Sequence, residues 1–280
     1  MDLKLTDKVV FVSGASGGIG RALSEAFAEE GARLILHAHR SYEALRAHAD
    51  RRWSPERVCA VQADLARPAE IDAAMERGVS HFGRVDLCVV NAGIWPSANE
   101  ALIEIPLDRL RATLEVNLLG AILTCRAFLQ ALRRCGPRTD GHGAAITLIG
   151  STAGRFGERD HADYAISKAG LYGLLRTLKN EIVLLDPRGR INLVEPGWTA
   201  TPMAFPTLAE PGAVSAVLRP MALRQIARPE DIARAVLFLS SPEAARHITG
   251  EVLTIAGGME GRVLWEPGEI DEPTIRRELD

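Results

Sequence analysis

The sequence is poor in the features that mark secreted and membrane-spanning proteins. No apolar run approaches the roughly 18 residues of a membrane span, and the N-terminus lacks the apolar core of a signal peptide. The four cysteines have no metal-ligand spacing, and two of them fall in strand-like runs. We therefore expect a cytoplasmic protein with reduced core thiols, no metal site and no membrane partner. The cysteines are Cys59, Cys88, Cys125 and Cys135.

Neither sign of charge is in large excess. The chain has 33 Lys and Arg against 36 Asp and Glu, interspersed along its length, which argues against nucleic acid as a partner. Its 280 residues, 47% of them apolar, suit one large α/β domain. We find no internal repeat and no second domain. The prediction is a single domain over residues 1–258, with a lid at about 199–225 and a tail over 259–280. Three alternatives are open for the tail: it lies across the surface, it reaches a neighbouring subunit, or it is disordered beyond Pro267.

Short apolar runs alternate with helical patterns along the chain. Such alternation, with strands too apolar to face water, is typical of a parallel sheet covered on both faces. We predict a doubly wound, seven-stranded parallel sheet of the Rossmann type, with helices on both faces. The predicted strands are residues 8–13, 33–37, 57–62, 86–90, 144–151, 190–195 and 251–255, and the main helices are 18–30, 41–52, 68–82, 107–134, 162–185 and 229–240.

A glycine-rich turn follows the first predicted strand. Residues 14–20 read GASGGIG, and a helical pattern then continues to Glu30. Glycines let the backbone turn tightly and let a pyrophosphate approach the helix N-terminus, where free N–H groups and the helix dipole favour anions. Because the turn lies between the first strand and the first helix, it indicates a dinucleotide site rather than a plain tight turn.

The end of the second strand decides which dinucleotide is preferred. An acidic residue there would bond the ribose 2′-hydroxyl of NAD, whereas a basic residue accommodates a 2′-phosphate. Here His39, Arg40 and Ser41 offer a guanidinium and a hydroxyl but no carboxylate. We therefore predict NADP, with NAD less favoured. The alternative is that Arg40 merely begins a solvated helix.

One strand–loop–helix stretch carries residues suited to proton transfer. Ser151 closes a buried strand, and Tyr164 and Lys168 share a helical face one turn apart. A cation favours the phenolate, so we expect Lys168 to lower the Tyr164 pKa from about 10 towards 7. His161 lies close before Tyr164, and we expect it on the substrate loop or the surface rather than as the base.

Asn117 lies between apolar residues in a long predicted helix. If buried it needs a partner, which is either structural or a water held at a helix kink. Large side chains on loops after the strands predict an apolar to mixed substrate pocket. Arg155 and Arg159 would meet an anionic or carrier-linked substrate, or are simply solvated. The pocket residues are Trp95, Ser151, Phe156, Trp198 and Met203, with Phe205 beside them.

These motifs, in this order, resemble those of the short-chain dehydrogenase/reductase family, of the compact kind that includes 3-oxoacyl-acyl-carrier-protein reductases. The resemblance covers the chain from about Leu5 to Gly258. The family's TGxxxGxG appears as SGASGGIG from Ser13, and its NAG, YxxxK and PG motifs begin at Asn91, Tyr164 and Pro196. The family's catalytic asparagine and serine match Asn117 and Ser151.

The sequence departs from the family pattern at three positions that bear on the predicted site and cofactor. Gly150 replaces the first residue of the usual serine pair, and Ala256 replaces an aspartate that often precedes the last glycine pair. Gly17 stands where many NADP enzymes have a basic residue, which weakens the NADP prediction. The sequence His39-Arg40-Ser41 is similar to the phosphate grip of pteridine reductases, which strengthens it.

The resemblance implies hydride exchange between a nicotinamide and a ketone or secondary alcohol. Tyr164 would be the acid, Ser151 would orient the substrate oxygen, Lys168 would tune Tyr164 and hold the nicotinamide ribose, and Asn117 would hold a water of the proton relay. It also implies a homodimer or homotetramer built through the two longest helices. The implied cofactor contacts are Gly14, Ser16, Gly18, Ile19, Gly20, His39, Arg40, Ser41, Asp64, Leu65, Asn91, Ala92, Gly93, Tyr164, Lys168, Pro196, Gly197, Thr199 and Thr201.

The substrate implied is a small-molecule carbonyl or alcohol: a 3-oxoacyl thioester, a sugar, a polyol or a ring ketone. Two other functions stay open at this point. One is a catalytically idle dinucleotide-binding regulator on the same fold. The other is an NAD-dependent sugar or polyol dehydrogenase.

Overall fold

Seven parallel strands form the central sheet of the computed structural model, which describes residues 2–261 and 263–279. Their order is β3-β2-β1-β4-β5-β6-β7, so the winding reverses between β1 and β4. In such sheets a crevice opens at this switch point, at the carboxyl ends of the strands. The strands are β1 Val9–Val12, β2 Arg33–Ala38, β3 Val58–Gln62, β4 Leu87–Val90, β5 Ala145–Ile149, β6 Arg190–Pro196 and β7 Val252–Ile255.

Helices cover both faces of the sheet, as strand β1 shows. All four of its residues are buried, and Val12 pairs with Leu36 on one side and with Val89 on the other. Phe11 belongs to a core cluster shared with α3, α5 and α7, whereas Val10 belongs to a second cluster shared with α1, α2 and α10. The doubly wound seven-stranded sheet is therefore confirmed. The α-helices are α1 Gly18–Glu29, α2 Tyr42–Arg52, α3 Pro68–Phe82, α4 Leu107–Leu114, α5 Gly120–Cys135, α6 Thr152–Phe156, α7 Ala162–Glu181, α8 Phe205–Leu208, α9 Ala213–Leu218, α10 Pro229–Ser240 and α11 Glu272–Arg277.

Two predicted elements differ from the structure. The helix predicted over 107–134 is divided by a π-helical turn, Glu115–Leu119, between α4 and α5. The segment after Ser151, predicted as a loop, forms the short helix α6, because the Ser151 hydroxyl accepts a hydrogen bond from the Ala153 N–H at 3.1 Å and so caps a helix. Short 3₁₀ turns, Ile182–Leu184 and Pro267–Glu269, complete the element list.

The tail packs against residues 199–225, the segment predicted as a lid. Lid residues Leu208 and Leu218 share a buried cluster with tail residues Ile270 and Ile275. The Trp265 indole donates to the Met221 carbonyl at 2.6 Å. The prediction left the tail lying on the surface, reaching a second subunit or disordered. In the structure it lies across residues 199–225 of its own chain.

In the described chain, one helical stretch is long and apolar enough to cross a membrane by length and composition alone. Its range is Leu107–Cys135, with a mean hydropathy of 1.4 over the best window, half of which is buried inside the protein. Core helices pass the same test of length and composition, so the stretch is weak evidence for a span.

Candidate active site

A cleft of about 780 Å³ opens at the carboxyl edge of the sheet. Its volume falls within the range of small-molecule and cofactor sites. The turn after β1 and the residues that follow β2 to β6 line it. Every cofactor residue expected from the sequence, from Gly14 to Thr201, lies in this lining.

Two glycines keep the floor of the cleft open. Gly14 has φ +65°, and a Cβ there would lie 2.7 Å from the Ala92 Cα. A Cβ on Gly93 would lie 3.2 Å from the Asn117 amide oxygen and 3.4 Å from the Lys168 ammonium. Side chains at either position would therefore disturb the backbone or the site.

Ser13 ties the glycine turn to the end of β4. Its hydroxyl oxygen accepts from the N–H groups of Asn91 at 2.9 Å and Ala92 at 3.0 Å. The Asn91 amide donates back to the Ser13 and Gly14 carbonyls at 3.0 and 3.1 Å. The serine that replaces the usual threonine thus has the hydrogen bonds that hold the turn.

His37, which is not among the predicted site residues, supports the same turn. Its Nδ1 accepts from the Gly14 N–H at 3.3 Å, and its Nε2 faces the Ala63 carbonyl at 3.0 Å. Because a carbonyl only accepts, these partners assign the neutral Nε2–H tautomer. Burial lowers the pKa of His37 to about 4, so the ring stays neutral. A histidine in an apolar strand beside a glycine turn was the signal that could have identified it.

The residues present fit a dinucleotide pyrophosphate. Helix α1 begins at Gly18, no side chain caps it, and its first turn contains no acidic residue. Its free N–H groups and dipole therefore stay available to an anion. A Cβ on Gly18 would lie 2.8 Å from Thr201, so only glycine leaves this space between turn and lid.

Arg40 lies exposed at the far end of the cleft. It has no ion-pair partner among residues 2–261 and 263–279. The nearby Asp64 carboxylate accepts from the Ala66 N–H at 3.0 Å and faces Arg67 at 3.6 Å. A guanidinium without a carboxylate beside an exposed Ser41 hydroxyl suits a phosphate group.

Lys168 and Tyr164 meet at the other end of the cleft, beside Ser151. The Lys168 ammonium donates to the Ile149 carbonyl at 3.0 Å and lies 5.8 Å from the centre of the Tyr164 ring. Burial lowers the pKa of Lys168 to about 8. Burial likewise raises the pKa of Tyr164 to about 12, a hydrogen bond to Ser151 opposes the rise, and the charge of Glu158 adds to it.

The expectation that Lys168 lowers the Tyr164 pKa towards 7 is therefore wrong for this structure. The physical reason is that the cleft withdraws both groups from water, which disfavours the phenolate and the ammonium alike. Lys168 also directs its ammonium at a backbone carbonyl rather than at the phenol oxygen.

Asn117 is buried in the π-helical turn and does not line the cleft. Its amide oxygen accepts from the Ile94 N–H at 2.8 Å, and its amide nitrogen donates to the Ile94 carbonyl at 2.9 Å and to Ser167 at 3.2 Å. It thus fixes the backbone just after Gly93. π-Turns of this kind are frequent at functional sites.

Aromatic rings form one wall of the cleft beside Tyr164. Trp95 stacks on His161 with centroids 3.9 Å apart and meets Tyr164 edge-on at 4.7 Å. His161 is 3% exposed, and its Nε2 lies 3.0 Å from the Pro96 carbonyl. The surface position considered for His161 is thus wrong, because the ring is buried against Trp95 and Pro96 of the loop over residues 94–106, named the substrate loop after its predicted role.

The other predicted substrate residues divide into two groups. Trp198 and Met203 line the cleft with Trp95 and Ser151, whereas Phe156 lies outside the lining and is exposed. The structure instead brings in Glu158, which the sequence analysis did not select.

The two arginines considered for anionic substrates also lie outside the lining. Arg155 reaches Thr254 at 3.2 Å, and Arg159 lies 3.6 Å from Asp160 with a side chain 94% exposed.

A buried ion pair holds the start of α7, one residue before Tyr164. Arg109 on α4 bonds both carboxylate oxygens of Asp163, at 3.0 and 3.1 Å. The same guanidinium reaches Glu100 and the Ala98 carbonyl on the substrate loop, each at 2.7 Å. The loop, α4 and the Tyr164 helix are therefore connected through one side chain.

The chain is similar to known proteins over most of its length. A family model described as enoyl-(acyl carrier protein) reductase matches residues 14–260. A 3-oxoacyl-[acyl-carrier-protein] reductase of Synechocystis is 33% identical over 91% of this chain and 98% of that protein. An L-rhamnose 1-dehydrogenase (NAD(P)(+)) of Sphingomonas is also 33% identical, over 91% of this chain and 97% of that protein.

A solved structure gives the same result for the fold. It is a Brucella melitensis protein described as a short-chain dehydrogenase/reductase, glucose/ribitol dehydrogenase. It superposes with a TM-score of 0.81 at 29% identity, covering 92% of this chain and 98% of its own.

Proposed function

Because the chain belongs to the short-chain dehydrogenase/reductase family, an oxidoreductase family that uses NAD(P), we propose that it is an NADP-preferring enzyme that interconverts a ketone and a secondary alcohol. The observation that carries the proposal is the meeting of Ser151, Tyr164 and Lys168 at one end of a dinucleotide-sized cleft. When bound, the nicotinamide cofactor supplies or accepts the hydride.

The side chains have separate tasks in this proposal. Tyr164 is half-buried and its pKa is raised, so it stays protonated and holds the proton that a developing alkoxide requires. Ser151 donates a hydrogen bond to the same substrate oxygen and orients it. Lys168 lies within reach of both Tyr164 and the floor at Gly93, where it would bind the nicotinamide ribose. Asn117 positions that floor through Ile94.

The preference for NADP is supported by the phosphate-binding character of the cleft's other end. Arg40 and Ser41 are exposed there, and Arg40 is not engaged by a carboxylate in the described part of the chain. The 2′-phosphate of NADP would supply the missing partner. We therefore expect tighter binding of NADPH than of NADH in a fluorescence titration, and equal or tighter binding of NADH would reject this assignment.

The test of the function is turnover of a panel of ketones and secondary alcohols with both cofactors. We expect activity with at least one substrate class, and we expect Tyr164→Phe to lower kcat by at least a hundredfold, since general acid catalysis typically contributes 10²–10⁴-fold. Tyr172→Phe, on the same helix, is the matched control. Full activity of Tyr164→Phe on a confirmed substrate would refute the assignment of the acid.

The second candidate function is a sugar or polyol dehydrogenase that uses NAD. It is supported by the names of two similar proteins, the rhamnose dehydrogenase and the glucose/ribitol dehydrogenase. The same panel, extended to sugars and polyols and run with both cofactors, decides between the two.

A catalytically idle regulator would bind cofactor but turn over none of the substrates in the panel.

A cytoplasmic location and a homodimer or homotetramer are also parts of our proposal. Light scattering tests the oligomeric state.

A further inference from the structure

Glu158 is a charged group of the cleft for which the proposed mechanism has no use. It lines the cleft in the segment between α6 and α7, half-buried. No hydrogen bond or ion pair reaches its carboxylate among residues 2–261 and 263–279. Burial raises the pKa of Glu158, and the charge of His161 partly opposes the rise. A half-buried carboxylate without a donor lacks the hydrogen bonds that usually offset its desolvation.

The position of Glu158 is close to the chemistry. It lines the same cleft as Ser151 and Tyr164, and its carbonyl accepts from the N–H of His161, whose ring stacks on Trp95. Its negative charge also helps to raise the pKa of Tyr164. A ligand whose oxygen is held by Tyr164 and Ser151 would therefore share the cleft with the Glu158 carboxylate and with the apolar side chains of Trp95 and Met203.

The charges of this end argue for a neutral ligand. Glu158 repels a carboxylate or phosphate on the substrate, and the arginines that would compensate, Arg155 and Arg159, lie outside the lining. Lys168 repels a cationic substrate, since its ammonium has a carbonyl rather than a carboxylate as its partner. An uncharged group that can satisfy an unpartnered carboxylate is a hydroxyl, which donates a hydrogen bond to it.

We propose that Glu158 determines the substrate, accepting a hydrogen bond from a hydroxyl group on a carbon adjacent to the reacting one, so that the enzyme prefers hydroxylated ketones and polyols to plain ketones and to oxo acids. This inference rests on the proposed function and narrows its substrate class. Trp95 supplies the flat apolar surface for the ring or chain that carries the hydroxyl.

The experiment compares three related ketones in the enzyme with its preferred cofactor. The probes are cyclohexanone, 2-hydroxycyclohexanone and 3-oxocyclohexanecarboxylate. We expect the wild type to have the highest kcat/KM for the hydroxyketone. Hydrogen bonds to charged groups are strong enough for Glu158→Leu to reduce the hydroxyketone-to-ketone ratio of kcat/KM roughly tenfold or more. Glu158→Gln, which keeps an acceptor oxygen, should retain part of that ratio, and both variants should improve kcat/KM for the oxo acid.

The controls separate a role in specificity from a role in folding. Glu104→Gln removes the same charge from an exposed residue on the neighbouring loop and should leave the three values unchanged. Binding of NADPH measures whether each variant retains the folded cleft. If Glu158→Leu does not fold, Glu158→Gln still tests the proposal, because its kcat/KM for 3-oxocyclohexanecarboxylate should exceed that of the wild type. A variant that lowers kcat/KM for all three probes equally, or leaves the ratio intact, overturns the proposal.

A binding measurement keeps this inference distinct from the proposed function. Failure of the wild type to turn over any ketone or alcohol rejects the proposed function. Calorimetric titration of the protein with cis-1,2-cyclohexanediol and with cyclohexanol then tests Glu158 without turnover. Tighter binding of the diol that disappears in Glu158→Leu supports the subsite, and equal binding of the two alcohols by the wild type refutes it.

Discussion

Lys168 is a buried cation whose partner is a neutral carbonyl. Its side chain is 5% exposed, and in the described chain only the Ile149 carbonyl is found as its hydrogen-bond acceptor. Withdrawing an ammonium from water costs free energy unless an anion compensates. Functional sites often contain such local instability, and stabilising substitutions there tend to cost activity.

We therefore predict that Lys168→Met stabilises the cofactor-free protein while abolishing turnover. The folded-state pKa of Lys168 is about 8 against the ordinary 10.5, so the unfolded chain binds the extra proton between these values. The cost of burying the charged ammonium is full below pH 8 and disappears as the pH rises to 10.5. This cost is at most about 3 kcal/mol. The substitution also loses the hydrogen bond to Ile149, worth about 1 kcal/mol, so the net gain in stability is about 2 kcal/mol.

Urea unfolding at pH 7 and pH 10 measures the effect. The free energy of unfolding of Lys168→Met should exceed that of the wild type by about 2 kcal/mol at pH 7 and by much less at pH 10. Lys179→Met, at the far end of the same helix, is the control. A lower stability of Lys168→Met at pH 7 would mean that the carbonyl bond outweighs desolvation.

At the residue scale, the sequence was sufficient to locate the side chains that belong to a motif with fixed spacing. Ser151, Tyr164 and Lys168 could be found because their distances along the chain fix a strand end and a helical face. The Tyr164 pKa was predicted with the wrong sign, because burial depends on how distant segments close over the cleft. Glu158 was missed for a related reason, since its place in the cleft depends on how the segment between α6 and α7 folds. His37 had only the weak signal of a histidine within an apolar strand.

The start of helix α7 depends on one arginine from another helix. Asp163 is fully buried, and burial alone would raise its pKa. The hydrogen bonds of Arg109 and Thr113 outweigh that effect, so the pKa of Asp163 lies below its usual range. Removing one partner of a buried ion pair leaves an uncompensated charge and typically costs 3–5 kcal/mol.

We predict that Arg109→Met destabilises the protein by about 2–4 kcal/mol, somewhat less than a bare buried pair, because Thr113 still bonds Asp163. It should also raise KM for the substrate, since Arg109 holds the substrate loop at Glu100 and Ala98. Urea unfolding and steady-state kinetics measure the two effects.

The double variant Arg109→Met/Asp163→Asn should recover part of the lost stability, because it removes the unpaired charge. Arg111→Met, exposed on the same helix, is the matched control. Unchanged stability of Arg109→Met would show that water replaces the guanidinium.

At the element scale, helices and strands with strong periodicity were predicted almost to the residue, as α3 and α10 show. The π-turn around Asn117 was not, because one extra residue per turn leaves the apolar pattern of α4 and α5 intact on either side. Helix α6 was missed because five residues are too few to establish a period. Its start depends on the cap by Ser151.

The whole molecule combines a sheet that is predictable with a tail that is not. The parallel arrangement with helices on both faces follows from the apolar character of the strands and their alternation with helices, whereas the strand order is given by the structure. The tail has no comparable pattern, since its apolar residues are spaced among charges and prolines. Only the structure places Ile270 and Ile275 against the lid.

We predict that removing residues 263–280 loosens the lid, residues 199–225. The deletion exposes Leu208, Leu218 and Met221, and each fully buried apolar side chain contributes about 1.5–3 kcal/mol to packing. KM for the substrate should rise severalfold and proteolysis within 199–225 should accelerate. NADPH affinity should fall by less than the rise in KM, because Thr199 and Thr201 lie in the lid whereas the glycine turn and Arg40 do not.

A point variant in the tail distinguishes packing from mere length. Ile275→Asp should reproduce the effect of the deletion, and Glu278→Gln, exposed in the same tail, should not. Unchanged KM and unchanged proteolysis in the truncated chain would show that the lid is stable on its own.

The tail lies on the substrate side of the molecule, whereas the N-terminal residues lead into β1 at the opposite, amino edge of the sheet, where the Ser241 hydroxyl donates to the Leu3 carbonyl at 2.7 Å. This has a practical consequence for anyone who purifies the protein. An affinity tag or fluorescent fusion after the tail would disturb the packing of Ile270 and Ile275 against residues 199–225 and alter kinetic constants. The same tag at the N-terminus would project from the far edge and leave them untouched.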